Sequence, residues 1–461
     1  MFNSFRKYIK RTLSTIATVS IIAVTTFSVT ANVSAAASDS STAPKAAWPD
    51  APSITCESAI LIDADTGSIL YEKDSHQKAY PASTTKILTG LLTIENCNLN
   101  DTMTFSSKAA NSVNPYEDAN LSMKAGEQIT VEQALYGLLL YSANEIAYGL
   151  AEQVAGSADA FIDMMNNKAK ELGAINTHFA NPSGLYNPNH YTTAYDMAMI
   201  ARGCYNNASF VNIDSTSSSY TIPATNMSAQ RTIKHRHKML KGREFYYEYC
   251  KGGKTGFTDE SLMTLVTFAE KDGMRLICVV FRSPDDSTRY IDTRALFDWG
   301  FGNFKKSTTS NSQISSLFST DNYYSSDVFG KSKLGFNLNA SFITIPANGS
   351  TSDVTMDINT DYDVSNSNDK LTAKLNYKYG DNVVGTTTLT ISSGNAVKDS
   401  QLPYLSNEIK VTELTPKKCL KVNIWIIAGI VAVILIIITI INNRKLSNNR
   451  KHHYSKRNLR F

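Results

Sequence analysis

YPASTTKILTG (residues 80–90) places Ser83 and Lys86 three positions apart at the start of a predicted helix. Residues i and i+3 share one face of a helix, so this hydroxyl and this amine can touch. Pro81 suits a first helical turn, where free backbone N–H groups favour negative charge. A serine becomes a nucleophile when a base takes its proton, and a neutral lysine can be that base. Taken alone, the stretch is better explained by a helix cap followed by a solvated lysine, because S-x-x-K arises often by chance.

A second polar pair lies in YSANEIA (residues 141–147), after the apolar run YGLLL. Ser142 and Asn144 are one residue apart at a predicted junction between two helices, where both side chains can project into a cleft. Capping of the second helix is the simpler alternative for either residue.

A third segment, CKGGKTGFT (residues 250–258), precedes a predicted hairpin. Lys254 and Thr255 put a cation and a hydroxyl on a strand, and Gly256 leaves room for an extended ligand along the strand edge. A solvated loop lysine is the alternative. However, S-x-x-K, S-x-N and K-T-G occur in this order with gaps of about 60 and 110 residues, a set typical of serine acyl transferases that react with penicillin.

The segment 53–304 alternates strands and helices. SAILIDADTGSILYEK (58–73) and LMTLVTFAEKDGMRLICVVF (262–281) each predict a hairpin, and helices are predicted between them. We therefore predict an α/β (α+β) domain, with one antiparallel sheet built from both ends and covered by helices.

The chain beyond this domain changes character. Residues 305–332 are rich in Ser, Thr and Asn and predict a linker, whereas 333–414 contain short alternating runs typical of a small all-β domain. Nothing in the β domain suggests catalysis, so we expect a spacer or stalk.

Both ends of the chain carry membrane signals. Residues 1–35 read as a signal peptide, with an uncleaved anchor as the alternative, and 36–52 as a linker. Residues 423–441 are apolar and long enough to cross about 30 Å of hydrocarbon, and the basic tail 442–461 predicts a cytoplasmic end. We expect a single-pass cell-membrane protein whose folded part is extracytoplasmic. The bunching of basic residues at both ends argues against nucleic-acid binding.

The sequence resembles the D-alanyl-D-alanine carboxypeptidases, which are low-molecular-weight penicillin-binding proteins of serine peptidase family S11, typified by penicillin-binding protein 5. The resemblance rests on the three motifs and on segments such as ILIDADTGSILYEKD, FANPSGLYNPNHYTTAYDMAMIAR and LFDWGF. It covers residues 53–304 well and 333–414 more weakly. The chain departs from many relatives in having S-A-N for S-G-N and a spanning C-terminal segment.

The resemblance implies a penicillin-binding-protein/β-lactamase-like transpeptidase fold and a serine acyl-enzyme mechanism on peptidoglycan stem peptides, with β-lactams as inhibitors. It implies no cofactor and no metal. The implied catalytic residues are Ser83 as nucleophile, Lys86 as general base and Ser142 as proton relay. The implied substrate-binding residues are Asn144, Lys254, Thr255, Gly256, Phe257 and Arg289, with the backbone N–H groups of Ser83 and Phe257 as oxyanion hole.

Two other functions fit the motifs less well. A β-lactamase usually needs a Glu in the loop after S-x-N, and NPSGLYNPNH (181–190) has none. A non-catalytic penicillin-binding or wall-sensing protein would have no need for the complete set of motif residues.

Several other residues could attract a functional interpretation. HRH (235–237) lacks nearby metal ligands and is expected to be surface polar. Asp63 and Asp65 are explained by turn formation. The six cysteines show no CxxC spacing; scattered thiols are favoured over disulfides, whose pairing cannot be read from the sequence.

Overall fold

The computed structural model describes residues 47–309, 334–338, 341–358, 365–367 and 370–393. The predicted signal peptide, membrane-spanning segment and basic tail, and most of the predicted linker after 305, lie outside these ranges. Within them, no helix combines the length and hydrophobicity that a membrane span requires. The proposed domain boundaries remain predictions.

A five-stranded antiparallel sheet forms the centre of the first part of the chain, with the strand order β2-β1-β9-β8-β7. These strands are β1 Ser58–Asp63, β2 Ile69–Lys73, β7 Cys250–Thr258, β8 Leu262–Lys271 and β9 Met274–Ser283. The two predicted hairpins, β1–β2 and β8–β9, are confirmed. Asp272 (φ +52) and Gly273 (φ +77) form the second turn, as a two-residue loop between right-twisted strands requires.

Both faces of this sheet are covered, because its central strands are apolar on both sides. In β1, Ile60 and Ile62 pack against the larger helical layer, whereas Ala59 and Leu61 pack against the last helix. The helices are α1 Lys86–Asn96, α2 Ser107–Ala110, α3 Val131–Tyr136, α4 Asn144–Ala155, α5 Ala158–Glu171, α6 Ala194–Tyr205, α7 Ala208–Asp214 and α8 Asp286–Asn303. The predicted helix-covered antiparallel sheet is confirmed.

Local sequence signals set several helix ends. Thr130 forms a capping box with Gln133 at the start of α3, as S/T-x-x-E/Q sequences do. Gly156 (φ +75) ends α4 at the position where left-handed backbone is required. Two short hairpins complete this part of the fold: β3 Thr102–Thr104 with β4 Gln128–Thr130, and β5 Tyr220–Ile222 with β6 Arg231–Ile233.

Most of the described residues after 333 are in strands, as predicted, whereas residues 305–308, where a linker was predicted, belong to a strand. The strands are β10 Phe304–Thr308, β11 Leu334–Leu338, β12 Phe342–Pro346, β13 Val354–Ile358, β14 Ser365–Ser367, β15 Lys370–Tyr379 and β16 Asn382–Ser393. They form an antiparallel sheet in the order β11-β16-β15-β13, with β14 also on β15, and a β10–β12 pair.

The β-rich part contacts the first part directly. Thr344 on β12 donates a hydrogen bond to Asp63 Oδ2 (2.9 Å) at the end of β1. Asp63 Oδ1 accepts from the backbone N–H groups of Asp65 and Thr66, so the predicted turn role is confirmed. Asp63 therefore both closes the first turn and binds strand β12.

Candidate active site

Ser83 lies in a 3-10 turn, Ala82–Thr85, and the α-helix itself begins at Lys86. The prediction that Pro81 opens an α-helix containing Ser83 is therefore wrong: Ser83 precedes the α-helix by three residues. Ala82 has φ +48, a left-handed conformation that residues with a side chain rarely adopt. Gly184 presses against this turn, since a Cβ at 184 would lie 1.9 Å from the Ala82 carbonyl oxygen.

Lys86 is fully buried and makes three side-chain hydrogen bonds. Its Nζ lies 2.9 Å from Ser83 Oγ, 2.6 Å from Asn144 Oδ1 and 2.5 Å from the carbonyl oxygen of Ser183. Burial lowers the pKa of Lys86 well below its ordinary value, and the charges of Lys254 and Arg236 lower this pKa further. The structure therefore favours a neutral amine at this position.

The three contacts fit a neutral amine because of what each partner can offer. An amide oxygen and a carbonyl oxygen only accept, so they take the two N–H groups of –NH2. The remaining lone pair then faces the Ser83 hydroxyl, which can donate. Lys86 is thus arranged as a base for Ser83.

Ser142 projects from a break between helices. A π-turn, Gly137–Tyr141, ends at Ser142, which has φ +70, and α4 begins at Asn144. This irregular backbone turns the Ser142 side chain toward β7, where its Oγ accepts a hydrogen bond from Lys254 Nζ (2.9 Å). Asn144 is fixed by its contact with Lys86 and by its backbone N–H, which donates to the Ala119 carbonyl.

Lys254, Thr255, Gly256 and Phe257 follow one another along β7, at the edge of the sheet. Lys254 is buried, and burial together with the charge of Arg236 lowers its pKa to about 7. A Cβ on Gly256 would lie 2.9 Å from the Ser83 backbone nitrogen, so β7 passes directly over the serine turn. Phe257 is half exposed beside it.

These residues surround a cleft of about 230 Å³. The cleft is lined by Ser83, Glu117, Asp118, Ala119, Ser142, Asn144, Gly184, Leu185, Arg236, Thr255, Gly256, Phe257 and Thr258. Six of the nine predicted site residues line this cleft. Lys86 bonds to Ser83 and Asn144, and Lys254 bonds to Ser142.

Arg289 is placed differently from the others. Its guanidinium donates to the carbonyl oxygens of Gly256 (3.1 Å) and Thr264 (3.0 Å) and pairs with Asp286, outside the residues that line the cleft. It therefore stabilises β7 through the main chain and does not face the cleft. A part for Arg289 in carboxylate binding stays a prediction.

Arg236 is a cleft residue that the sequence reasoning missed. Its guanidinium lies over the ring of Tyr141 (4.6 Å), and its backbone N–H donates to the Leu140 carbonyl. The residue sits in HRH, whose histidines were expected on the surface. That expectation is wrong: His235 and His237 are buried. Alternation in this extended segment turns both histidines inward and Arg236 toward the cleft.

The loop containing NPSGLYNPNH (181–190) borders the cleft. It supplies the Ser183 carbonyl to Lys86 and the lining residues Gly184 and Leu185. His190 is buried, bonds to Thr85 Oγ1 (2.8 Å), and has its pKa lowered to about 3 by burial. It therefore acts as a neutral anchor between the loop and the serine turn.

The five described cysteines are free thiols, so none of them pairs with another. Cys419 lies outside the described residues.

This geometry supports acyl transfer to a serine. A hydroxyl faces a neutral amine, a second hydroxyl faces a buried lysine, and an arginine shares the cleft. The cations suit a substrate that carries a carboxylate beside the reacting carbonyl.

Comparison with known proteins points to one family. The model of the family described as D-alanyl-D-alanine carboxypeptidase (peptidase S11) matches residues 45–285, more than half of the chain. The chain is 34% identical over 254 residues to the D-alanyl-D-alanine carboxypeptidase DacF of Bacillus subtilis, covering 54% of this chain and 63% of that protein. It is also 34% identical over 259 residues to DacB2 of Mycobacterium tuberculosis, covering 55% and 84%.

A solved structure extends the likeness in fold. The crystal structure of penicillin binding protein 5 from Haemophilus influenzae has a TM-score of 0.58 and 24% identity, and covers 75% of this chain and 98% of that one. At this identity the likeness concerns the fold alone.

Proposed function

Because the chain belongs to the D-alanyl-D-alanine carboxypeptidase family, we propose that it removes the terminal D-alanine from peptidoglycan stem peptides through a Ser83 acyl-enzyme. The observation that carries this proposal is the set of Lys86 contacts, which leaves the amine lone pair facing Ser83 Oγ. The match spans 63% of the DacF length, and the activity of the whole protein is part of this proposal.

Acylation follows from the distances in the cleft. Ser83 Oγ attacks the carbonyl carbon of the penultimate D-alanine, and its proton passes to Lys86 Nζ, 2.9 Å away. The C–N bond breaks, and the proton that Lys86 took passes through Ser142, which Lys254 holds, to the nitrogen of the departing D-alanine. Lys86 is then neutral again. The backbone N–H groups of Ser83 and Phe257 would stabilise the oxyanion, by about 3 kcal/mol per donor.

Substrate orientation falls to the other cleft residues. Lys254, Thr255 and Arg236 would receive the terminal carboxylate, and Asn144 would bond the peptide backbone. Gly256 leaves the strand edge open for an extended peptide. In the second half of the reaction, water attacks the ester carbonyl, Lys86 accepts the proton of the water, and Ser83 Oγ leaves as the hydroxyl. A β-lactam would acylate Ser83 by the same attack.

The membrane topology is a separate proposal that the sequence supports. The apolar segment 423–441, the basic tail and the N-terminal export signal fit a single-pass cell-membrane protein with an extracytoplasmic cleft. Protease protection of a tag after residue 461 in sealed vesicles would test it, and digestion of that tag from outside would contradict it.

The enzymatic proposal is tested on the purified full-length protein with labelled penicillin and an acyl-D-Ala-D-Ala peptide. We expect one label per chain, release of D-alanine, and loss of both in Ser83→Ala. Covalent labelling without D-alanine release would reject the carboxypeptidase, and a penicillin adduct that turns over rapidly would indicate a β-lactamase.

A further inference from the structure

Asp214, the last residue of α7, is a buried carboxylate outside the cleft. Its Oδ2 accepts a hydrogen bond from the backbone N–H of Gly253 (2.6 Å), the residue that precedes Lys254 on β7. A carboxylate at a helix C-terminus is opposed by the helix dipole, and burial adds a desolvation cost. A charged Asp214 at this position therefore needs polar partners that offset these two costs.

The double glycine before Lys254 is what lets these partners reach β7. A Cβ on Gly252 (φ +127) would lie 2.5 Å from Asp214 Oδ2, and a Cβ on Gly253 (φ +140) would lie 2.9 Å from His237 Nε2. The first two residues of GGKTG therefore seat Asp214 and His237 against the strand.

His235 is the second partner of Asp214. Its Nδ1 accepts from the backbone N–H of His237 (3.0 Å), so neutral His235 carries its proton on Nε2. That nitrogen lies 3.4 Å from Asp214 Oδ1. Among the described residues, neither of these two buried atoms forms a hydrogen bond, and the contact between them is a longer electrostatic one.

The pair joins the elements that carry the cleft cations. Asp214 holds β7 at the residue before Lys254, and His235 is the residue before Arg236. The same segment is tied to the turn before Ser142 by the Arg236 N–H bond to Leu140. It is tied to β8 by the contact of His237 Nε2 with Thr267 Oγ1 (3.0 Å).

We propose that Asp214 and His235 form a buried carboxylate–imidazole pair that positions Lys254 and Arg236 to receive the carboxylate of the substrate. The inference rests on the proposed function. Neither residue touches the cleft, so both are positioning residues, and their loss should weaken the binding of the carboxylate more than the chemistry at Ser83.

The test separates binding from chemistry in the full-length protein. Penicillin acylation over a range of concentrations gives an apparent dissociation constant and a limiting acylation rate. In His235→Leu we expect the apparent dissociation constant to rise about tenfold and the limiting acylation rate to stay within about twofold, since the contact of a polar ring nitrogen with a buried carboxylate is lost. His235→Gln keeps an N–H donor facing Asp214 and should restore most of the affinity.

Controls and outcomes follow from the same measurement. His76→Leu removes an exposed histidine whose ring lies 4.7 Å from that of Tyr195, and it should behave as wild type. If His235→Leu does not fold, Asp214→Asn replaces it in the test. This variant keeps an acceptor for the Gly253 N–H and should show the same rise in the apparent dissociation constant. An unchanged apparent dissociation constant in these variants, or equal losses of affinity in His235→Leu and His235→Gln, would overturn the inference. A wild-type protein that penicillin does not label would reject the proposed function instead.

Discussion

Replacing Gly256 by alanine should slow acylation by fixing a methyl group between β7 and the serine turn. The added Cβ would lie 2.4 Å from Thr264 Oγ1, 2.9 Å from the Ser83 backbone nitrogen and 3.0 Å from Ala82 Cβ. To reach ordinary contact, Thr264 must yield by about 1 Å and the Ser83 amide by about 0.5 Å.

These shifts fall on groups that have little freedom. Thr264 Oγ1 donates to the Pro81 carbonyl (3.0 Å), and Gly184 blocks the turn from the other side. The Ser83 amide would therefore move out of line with the oxyanion. A misplacement of this order costs roughly 10²-fold in rate, or about 2.7 kcal/mol of transition-state stabilisation. Overpacking should also lower the free energy of unfolding by about 1–3 kcal/mol.

The assay is the rate of labelled-penicillin acylation, with melting temperature measured on the same samples. Gly302→Ala is the matched control: a Cβ at Gly302 meets nothing within 4 Å, so we expect wild-type acylation and up to about 1 kcal/mol of added stability from helix propensity. Acylation of folded Gly256→Ala at the wild-type rate would refute the claim that β7 sets the position of the Ser83 amide.

Two further predictions concern the pH dependence of activity and the hydrogen bond between Thr344 and Asp63. Acylation needs Lys86 neutral and Lys254 charged, so kcat/KM for a peptide with a free C-terminal carboxylate should rise with pH through the lowered pKa of Lys86 and fall as pH passes about 7. A falling limb near the ordinary lysine value, measured from pH 5 to 11, would argue against a buried, depressed Lys254. Thr344→Val removes the donor to buried Asp63 and should cost about 1–3 kcal/mol in chemical denaturation, whereas Thr221→Val, in an exposed hydroxyl pair, should cost under about 0.5 kcal/mol. Equal effects of the two threonine changes would show that the contact contributes nothing specific.

The sequence predicted those features that depend on short-range patterns. Alternating apolar residues in β1, β8 and β9 and the Asp272-Gly273 turn indicated the sheet, and the three motifs indicated which polar residues meet. What escaped prediction depends on backbone conformation. The positive φ of Ala82 and Ser142 follows from tertiary packing against Gly184 and β7, and a residue's propensity carries no sign of it.

The missed cleft groups have a related cause. Lys86 bonds the main-chain oxygen of Ser183, and because every residue has such an oxygen, the sequence does not indicate which one lies at the site. Arg236 was overlooked because its neighbours His235 and His237 were taken as surface residues, although an extended segment sends alternate side chains to opposite sides. The burial of both histidines, which places Arg236 on the cleft side, is visible only in the folded structure.

The pairing of β1 with β9 has a consequence for how the protein is made. Ala59 and Val280 are partners across the sheet although about 220 residues separate them, so the first strand must wait until the last has been synthesised. At ordinary translation speeds that wait is on the order of 10–40 s. Throughout it, Cys56 stands beside β1 without the sheet that later buries it. Cys56 is therefore more accessible to oxidants during synthesis than in the folded protein, where it is buried.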